Sequence, residues 1–429
     1  MFSLKKAAAG VLSCTMLLGS LVISGCSDSN TSGAQSADNT SNGSSTAHQG
    51  EIKDISSVEL VKDMKIGWSL GNTLDGGNEV NRGQAPGAIE KSWGNPDTTK
   101  EMIDEIKKAG FNVLRVPTTW DWSTGEAPEY KISDEWFARV KEIVDYGMEN
   151  DMYVILNIHH ETWHDPLEAN YEAASDRLKK VWTQIGNYFK DYDEHLIFEG
   201  LNEPRVRNSD EEWNGGSDAT REVVNKLDAD FVSTIRSLDG NNKLRHLMIP
   251  GYAASSSEVA LKALKIPEND DKLIVSVHAY IPYNFALSDN KRSNKWVACK
   301  EGFTNDIDNL ADMLKTLFID KGQAVIIGEF GARSKDNEKY RAEWAKYYVT
   351  KMKTIGVPCV WWDNGAFIGS GELFGLFDRR NLEWRYPLVK DALISASNGE
   401  YTVDGLKSDT TILDELKKDI AQSKNSSAE

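Results

Sequence analysis

The chain has 429 residues, of which 40% are hydrophobic and 27% charged, so it is long enough to bury one large core. Its 66 acidic residues outnumber its 49 lysines and arginines and give a formal net charge of -17 at pH 7. This excess of negative charge argues against nucleic acid or an anionic surface as the binding partner.

Residues 1–25 have the layout of a secretory signal peptide. Lys5 and Lys6 precede an apolar run that is short for a membrane span, and the run ends in the sequence VISGC. This ending resembles a bacterial lipobox and predicts that Cys26 is the lipid-bearing first residue of the mature chain. The alternative is an ordinary signal peptide, with no role for Cys26. Residues 26–55 are rich in Ser, Asn and Gly, and we expect a flexible tether there.

The cysteines exclude a disulfide framework. The chain has four, and Cys14 leaves with the signal while Cys26 is assigned to the lipid. Only Cys299 and Cys359 then remain in the exported domain, and a single bridge between them is left open.

Eight short apolar runs recur between residues 56 and 398, and segments with helical periodicity separate most of them. Runs that are apolar on both faces and alternate with helices indicate parallel strands covered by helices. We therefore predict an α/β fold with one (β/α)8 TIM barrel, and a doubly wound open sheet is the alternative. One intervening helix should begin after Ser133 and end at Gly147. Residues 399–429 read as a polar tail. The eight runs are MKIGWSL, FNVLRV, MYVILNI, HLIFEGL, RHLMIPG, LIVSVHA, AVIIGEF and PCVWWD.

Two short motifs point to other chemistry and are rejected. His160, Glu161 and His164 have the H-E-x-x-H spacing of a zinc protease, which needs a continuous helix. The histidines instead follow an extended apolar run, and Pro166 restricts the backbone just before it, so no helix is expected. The sequence GWSLG around Ser69 matches a nucleophile elbow, but a glycine-rich loop follows it where that motif requires a helix.

A barrel of this kind carries its chemistry at the carboxyl ends of the strands, and polar side chains do recur there. The segments FEGLNEPR, IIGEFGA, LRVP, NIHH, VHAY and WWDNG resemble glycoside hydrolase family 5, of clan A, and are closest to its subfamily 4 endoglucanases and xyloglucanases. The resemblance covers residues 58–395. It implies a retaining endo-β-1,4-glucanase without cofactor or metal. Xyloglucanase, lichenase or mannanase activity and a non-catalytic, glycan-binding surface lipoprotein are the alternatives.

The resemblance also implies roles for individual residues. Glu203 matches the acid/base and Glu329 the nucleophile, and in a retaining enzyme their carboxyl groups lie about 5–5.5 Å apart. Arg115 and Tyr280 should hold Glu329 ionised and oriented, while Glu203 should keep its proton. The implied substrate-binding and supporting residues are Arg115, His159, His160, Asn202, His278, Tyr280, Trp362 and Asn72, and further sugar subsites are expected at Trp68, Trp93, Trp120 and Trp163.

The expected partners follow from these assignments. The substrate would be a β-glucan polysaccharide, and the chain would act as a monomer. A lipid on Cys26 would hold it to a membrane at the extracellular face of a bacterium, or it would be secreted.

Overall fold

The computed structural model describes residues 48–414 and 417–418. Eight parallel strands follow one another around a closed barrel, and β1 pairs with both β2 and β8. This closure confirms the predicted TIM barrel and rules out the open sheet. The strands are β1 (Ile66–Leu70), β2 (Val113–Val116), β3 (Tyr153–Asn157), β4 (Leu196–Glu199), β5 (Leu247–Ser255), β6 (Leu273–His278), β7 (Ala324–Phe330) and β8 (Cys359–Asp363), with a small antiparallel pair, β9 (Phe377–Asp378) and β10 (Glu383–Trp384).

Helices surround the barrel and cover its outer face. They are α1 (Ser57–Asp63), α2 (Pro86–Glu90), α3 (Lys100–Ala109), α4 (Asp134–Glu149), α5 (Tyr171–Tyr188), α6 (Asp218–Ser237), α7 (Glu258–Ala263), α8 (Tyr283–Ala286), α9 (Asn305–Leu317), α10 (Glu338–Lys353), α11 (Pro387–Asn398) and α12 (Val403–Ser408). Among the residues described, no helix is both long enough and apolar enough to cross a membrane.

The barrel interior is apolar at its lower end and polar at its mouth. Successive side chains of a strand point to opposite faces, so every second residue faces inwards. The inward-facing apolar cluster continues into α1 and the residue after it, where Leu60, Val61 and Met64 close the lower end. The strand members of this cluster are Val113, Ile155, Ile197, Met248, Ile274, Ala324, Ile326 and Val360. Two residues further along four of these strands, the same face carries Arg115, Asn157, Glu199 and Ser276, so the polar layer sits at the carboxyl ends.

The boundaries of α4 show what the helical pattern predicted and what it missed. Ser133 is the N-cap, and its side chain accepts a hydrogen bond from the backbone of Trp136, as predicted. The predicted end at Gly147 is wrong, because the helix continues to Glu149. Gly147 is needed for packing instead: a Cβ there would lie 2.6 Å from Cγ2 of Val154 in β3.

Both ends of the described chain pack more closely than the sequence suggested. Within the stretch assigned to the tether, the Gly50 N–H donates to the Asp191 carbonyl at 3.0 Å, and Ile52 is buried. Within the stretch assigned to the polar tail, Leu406 of α12 is buried in the main core. Isolated apolar residues anchor these two segments to the domain, and the average composition of the segments does not predict this anchoring. Cys299 and Cys359 are both free thiols, and Cys26 lies outside the described residues.

Candidate active site

The residues predicted from strand ends converge at the barrel mouth. Arg115 lies in β2, His278 ends β6 and Glu329 lies in β7, paired in register with His278. Asn202 and Glu203 follow β4. Because all of these strands run in the same direction, their carboxyl ends meet around one opening.

Arg115 links three of these elements. Its Nε donates to Oε2 of Glu199 at 2.8 Å, its Nη1 to Oε1 of Glu329 at 2.7 Å, and its Nη2 to Oδ1 of Asn202 at 2.7 Å. The side chain is fully buried. Burial opposes its charge, but the carboxylates of Glu199 and Glu329 raise the pKa of Arg115 above its usual value. The guanidinium therefore stays charged and holds Glu329 as the sequence predicted.

Glu199, which was not among the predicted residues, supports this arginine from below. Its Oε2 also accepts from the Asn157 amide at 2.9 Å, and its Oε1 accepts from the Ser276 hydroxyl at 2.7 Å. The carboxylate is completely buried and its oxygens are held from β2, β3 and β6, so it is a structural counterion to Arg115. The sequence could have revealed this role, because Glu199 stands two residues after Ile197 in the same strand and therefore also faces inwards.

Glu203 contacts two cationic side chains. His278 Nδ1 lies 2.9 Å from its Oε1, and Nη1 of Arg205 lies 3.4 Å from its Oε2. Burial raises the pKa of this carboxyl, but the hydrogen bond from His278 and the charges of His278 and Arg205 outweigh burial and lower it. In return, the carboxylates of Glu329 and Glu203 raise the pKa of His278 against the effect of burial. The expectation that Glu203 itself keeps the proton is therefore not met in the free site, where the proton is favoured on His278.

Glu329 is oriented from two sides. Arg115 holds Oε1, and the Tyr280 hydroxyl donates to Oε2 at 2.8 Å. Burial and the Glu329 charge raise the pKa of Tyr280 well above its usual range, so its hydroxyl remains a donor. One carboxylate oxygen of Glu329 and one of Glu203 lie within 4.8 Å of each other. The two carboxylates thus face a common space at the mouth.

The histidines after β3 are held as neutral rings. Asn157 Nδ2 lies 3.0 Å from His159 Nδ1, which assigns the ring proton of His159 to Nε2. Burial and the neighbouring His160 hold the pKa of His159 well below its usual range. Nε2 of each ring faces Oδ2 of Asp75, at 3.9 Å from His159 and 3.8 Å from His160. Asp75 was not predicted, although it stands in the glycine-rich loop after β1.

The aromatic predictions divide into two groups. Trp362, at the end of β8, stacks on His159 with a ring separation of 5.7 Å and an interplanar angle of 6°. Trp93 is 42% exposed and lies 5.6 Å from His160, at the rim of the mouth. Trp68 and Trp120 are fully buried and donate to Asp363 and to the Asn157 carbonyl, so the expectation that they line sugar subsites is wrong.

Two further predictions have intermediate outcomes. Trp163 is partly buried against the core and lies under the guanidinium of Arg177, 5.1 Å from the ring centroid. Asn72 lies in the β1 loop with φ of 55°, and its backbone carbonyl accepts from Asn95 at 2.9 Å. The loop position agrees with the expectation, while the contact to a sugar hydroxyl remains a prediction.

Both rejected motifs lack the structures that their chemistry requires. Residues 158–166 contain no helix, so His160 and His164 do not share a helical face. Ser69 lies within β1 and is buried, and a loop follows. Two groups at the mouth do have donor atoms close enough for a cation, Glu203–His278–Glu329 and Asp75–His159–His160. In the second group, Nε2 of His159 faces Asp75 and carries the ring proton, and in the first group Nδ1 of His278 is engaged by Glu203.

Comparisons with known proteins agree with this geometry. A family model described as cellulase (glycosyl hydrolase family 5) matches residues 75–367. Endoglucanase B of Neocallimastix patriciarum is 48% identical over 367 residues, which is 84% of this chain and 75% of that protein. A GH5-4 broad specificity endoglucanase from Clostridium longisporum is structurally similar with a TM-score of 0.78 and 44% identity, covering 81% of this chain and all of the other. A family 5 lichenase mutant from Caldicellulosiruptor sp. F32, in complex with cellotetraose, gives a TM-score of 0.77 at 42% identity, covering 81% and 97% of the two chains.

Proposed function

The chain belongs to glycosyl hydrolase family 5 and is an endo-β-1,4-glucanase, and from this premise we propose that it cuts internal bonds of cellulose-type β-glucans by double displacement with retention of configuration. The observation that carries the proposal is the approach of the Glu203 and Glu329 carboxylates to within 4.8 Å. A retaining pair lies about 5–5.5 Å apart, whereas an inverting pair is about 6.5–9.5 Å apart to leave room for water.

In the first step Glu329 is the nucleophile. Arg115 and Tyr280 each donate to one of its oxygens, so the carboxylate is turned towards the space that it shares with Glu203. It attacks the anomeric carbon while the bond to the leaving sugar breaks, and a covalent glycosyl-enzyme forms. Because the donors are already in place, little reorganisation is needed as charge develops.

Glu203 delivers the proton to the leaving oxygen, and His278 is its source. In the free site the proton is favoured on the His278 imidazole, 2.9 Å from Glu203 Oε1. A bound sugar displaces water from the mouth. Without that water the charged forms of His278 and Glu203 are less favourable than the neutral forms, so the proton moves from His278 to Glu203. In the second step Glu203 is ionised again, accepts a proton from water, and the glycosyl-enzyme is hydrolysed.

The surrounding residues bind the sugar chain. We assign Asn202, whose side chain accepts from Arg115, to the 2-hydroxyl of the sugar at the reaction centre, a contact that strengthens in the transition state. We assign the apolar contact with pyranose rings to Trp362, which is 6% exposed at the end of β8, and to Trp93, which is 42% exposed at the rim. His159, His160 and Asn72 complete the polar wall. The complex of the related lichenase with cellotetraose supports a β-glucan as the ligand of this mouth.

The stereochemistry of the first product tests the mechanism. Hydrolysis of a cello-oligosaccharide should release the β-anomer first, followed by mutarotation, as observed by ¹H NMR. With an activated aryl cellobioside and azide, Glu329→Gly should yield the α-glycosyl azide and Glu203→Gly the β-glycosyl azide. Immediate appearance of the α-anomer with wild-type protein would overturn the assignment of Glu329 as nucleophile.

Two alternatives are separated by simple measurements. Lichenase activity is favoured by the related family 5 lichenase, so rates on barley β-glucan, xyloglucan, xylan, mannan and carboxymethylcellulose should be compared. A glycan-binding protein without activity would hydrolyse none of these polysaccharides. It would bind them whether or not the carboxyl groups of Glu203 and Glu329 are present. We expect Glu203→Gln to lose about 10²–10⁴-fold in kcat on polysaccharide while binding persists.

Export and anchoring are part of the same proposal. The signal-like residues 1–25 and the lipobox-like sequence before Cys26 support a lipoprotein held at the extracellular face of a bacterial membrane. In a bacterial host, the wild-type protein should incorporate labelled palmitate and sediment with membranes. Cys26→Ser should do neither. Equal labelling of the variant would show that the protein is not anchored at this position.

A further inference from the structure

A cluster of histidines and aspartates lies at the end of the barrel opposite the mouth. Asp151 lies just before β3, separated from it by Met152, and Asp193 and His195 belong to the turn that leads into β4. His48 comes from the N-terminal segment and packs against His195, with ring centroids 4.1 Å apart. Residues that precede parallel strands lie at the amino ends of those strands, so this cluster is remote from Glu203 and Glu329.

One carboxylate fixes both imidazoles in the same tautomer. Oδ2 of Asp193 lies 2.9 Å from Nδ1 of His48, and Oδ1 lies 3.0 Å from Nδ1 of His195. Each Nδ1 therefore donates a hydrogen bond to Asp193, which leaves Nε2 of each ring as the nitrogen available to a ligand. Tyr153 stacks on His195 at 4.7 Å with an interplanar angle of 16° and keeps that ring in its plane.

Both free nitrogens face a second carboxylate. Nε2 of His48 is 3.3 Å from Oδ1 of Asp151, and Nε2 of His195 is 3.9 Å from the same oxygen. A ligand atom from each of the three residues lies within 4.8 Å of the other two. Zinc takes nitrogen and oxygen ligands at about 2.0–2.2 Å in a tetrahedron, so neighbouring ligand atoms are about 3.4 Å apart. The observed spacing is close to that of a ligand set.

We propose that this cluster, which we call the lower His/Asp site, binds one Zn²⁺ ion. Its ligands are Nε2 of His48, Nε2 of His195 and a carboxylate oxygen of Asp151, and water completes the tetrahedron. Asp193 is the supporting carboxylate that orients both histidine ligands, an arrangement that recurs around protein-bound zinc. The proposal does not depend on the function assigned to the mouth.

The residues around the lower His/Asp site favour a bound cation, and the site is accessible from solvent. The Asp151 side chain is 77% exposed, while those of His48 and His195 are 18% and 13% exposed, so one side of the site opens to solvent. Glu194 adds negative charge nearby but is engaged by Lys53, whose Nζ lies 2.6 Å away and whose backbone N–H lies 3.0 Å away.

A further cation beside the site, Arg245, is engaged by backbone carbonyls. Its guanidinium donates to the backbone carbonyl of Asp193 at 3.0 Å and to that of Tyr192 at 2.7 Å. It therefore makes no contact with the lone pairs that face Asp151 in the described structure, and it stiffens the backbone that carries Asp193 and His195. Three carboxylates and two imidazoles then surround this point. The cations beside it in the described structure are engaged elsewhere, Lys53 by Glu194, Lys107 by the Asp151 carbonyl at 2.8 Å, and Arg245 by backbone carbonyls.

The ion would fasten the N-terminal segment to the barrel. His48 stands more than a hundred residues before His195 in the chain, and the ion would close that loop as a cross-link does. We therefore expect Zn²⁺ to raise the melting temperature of the protein and to protect the segment around Gly50 from proteolysis. Hydrolysis of β-glucan should not change, because the site lies at the far end of the barrel.

Calorimetric titration of the full chain with ZnCl₂ tests the proposal directly. After treatment with a chelator and its removal, the protein at pH 7.5 should bind one equivalent of Zn²⁺ and release it to EDTA. His195→Gln and His48→Gln should each weaken binding by at least about tenfold, and Asp193→Asn by about 10–100-fold, since loss of a supporting carboxylate has that effect. Unchanged β-glucan hydrolysis by these variants would show that they are folded.

Two control variants distinguish this site from other donors. Glu203→Gln removes the Glu203–His278–Glu329 group and should leave the titration unchanged. His164→Gln, within the H-E-x-x-H sequence, should do the same. Asp151→Asn changes an exposed side chain that folding does not require, and it should weaken binding at least about tenfold. The proposal is overturned if wild type binds no Zn²⁺, if Asp151→Asn binds as tightly as wild type, or if Glu203→Gln abolishes binding.

Discussion

The two ends of the barrel use charged residues in opposite ways. At the mouth, Arg115 and Glu199 are fully buried and the Glu329 side chain is 7% exposed, and each is held by partners from other strands. At the lower end, the Lys53 side chain is 69% exposed and that of Asp151 is 77% exposed. Coulomb attraction is strong where water is excluded and weak where water screens it. The mouth therefore has a fixed, reactive geometry, while the charges of Lys53 and Asp151 at the lower end are adaptable.

Burial at the mouth has a cost. Glu161, in the loop after β3, accepts from the Trp120 backbone through one oxygen, and its other oxygen has no hydrogen-bond partner in the described structure. His164 is buried there with neither ring nitrogen hydrogen-bonded among the described residues. Such groups destabilise a fold, and their concentration around Glu203 is typical of a site shaped for chemistry.

The largest expected effect comes from removing the buried cation at the mouth. Arg115→Met leaves the Glu199 and Glu329 carboxylates without their common partner, so we expect the free energy of unfolding to fall by about 3–5 kcal/mol. Hydrolysis should fall with it, because Glu329 loses the donor to Oε1. Urea unfolding and kcat on a cello-oligosaccharide measure the two effects. A stability loss below about 1 kcal/mol would contradict the contrast between the two ends.

The next effect depends on pH. Burial raises the pKa of Glu161 from 4.5 to about 8, so the folded chain keeps a proton that the unfolded chain releases above pH 4.5. The folded state then binds more protons, and stability falls as pH rises from 4.5 to 8. Glu161→Gln keeps the acceptor for Trp120 and has no charge to bury. We expect the variant to be a few kcal/mol more stable than wild type at pH 8, and the difference to vanish near pH 4.5.

Urea unfolding of both proteins across this pH range isolates the contribution of Glu161. Buried histidines act in the opposite direction: burial lowers the pKa of His164 to about 3 and that of His246 to about 4, so they reduce stability as pH drops below 6.5. These groups are present in wild type and variant alike and cancel in the difference. A difference that stays constant with pH would show that Glu161 is ionised in the fold.

A single hydrogen bond at the mouth should affect rate more than stability. Tyr280→Phe removes the donor to Oε2 of Glu329, and a hydrogen bond to a charged group is worth about 1.5–3 kcal/mol. We expect kcat to fall about 10–100-fold with little change in the urea midpoint. Tyr348→Phe is the matched control, since its hydroxyl donates only to the Ala279 carbonyl at 3.1 Å. Equal rate losses in both variants would remove the special role of Tyr280.

The smallest effect is expected at the lower end. Lys53→Met removes the 2.6 Å contact between Nζ and Oε1 of Glu194, but the lysine is mostly exposed, so stability should fall by no more than about 1 kcal/mol. The rate of β-glucan hydrolysis should equal that of wild type. A stability loss as large as that of Arg115→Met would show that exposure does not separate the two ends.

Much of the fold could be predicted because a short run of neighbouring residues is enough to indicate each strand. Runs such as AVIIGEF are apolar on both faces, which is typical of buried parallel strands. Eight such strands that alternate with helices are compatible with only a few α/β folds. Pro166 was enough to exclude a helix through His160 and His164. The sequence could also have placed Trp68 outside the barrel, because it alternates with Gly67 and Ser69. The error there came from counting a strand residue as a loop residue.

The sequence by itself determined which strands form, which face of each points inwards, and which polar residues stand at their carboxyl ends. Only the tertiary structure decided that Glu199 supports Arg115 while Glu203 meets His278, that the proton is favoured on His278 in the free site, and that His48 reaches His195. The physical reason is that pKa values and contacts depend on charges and donors brought together from distant parts of the chain. Those distances are set only when the barrel closes and water leaves its interior.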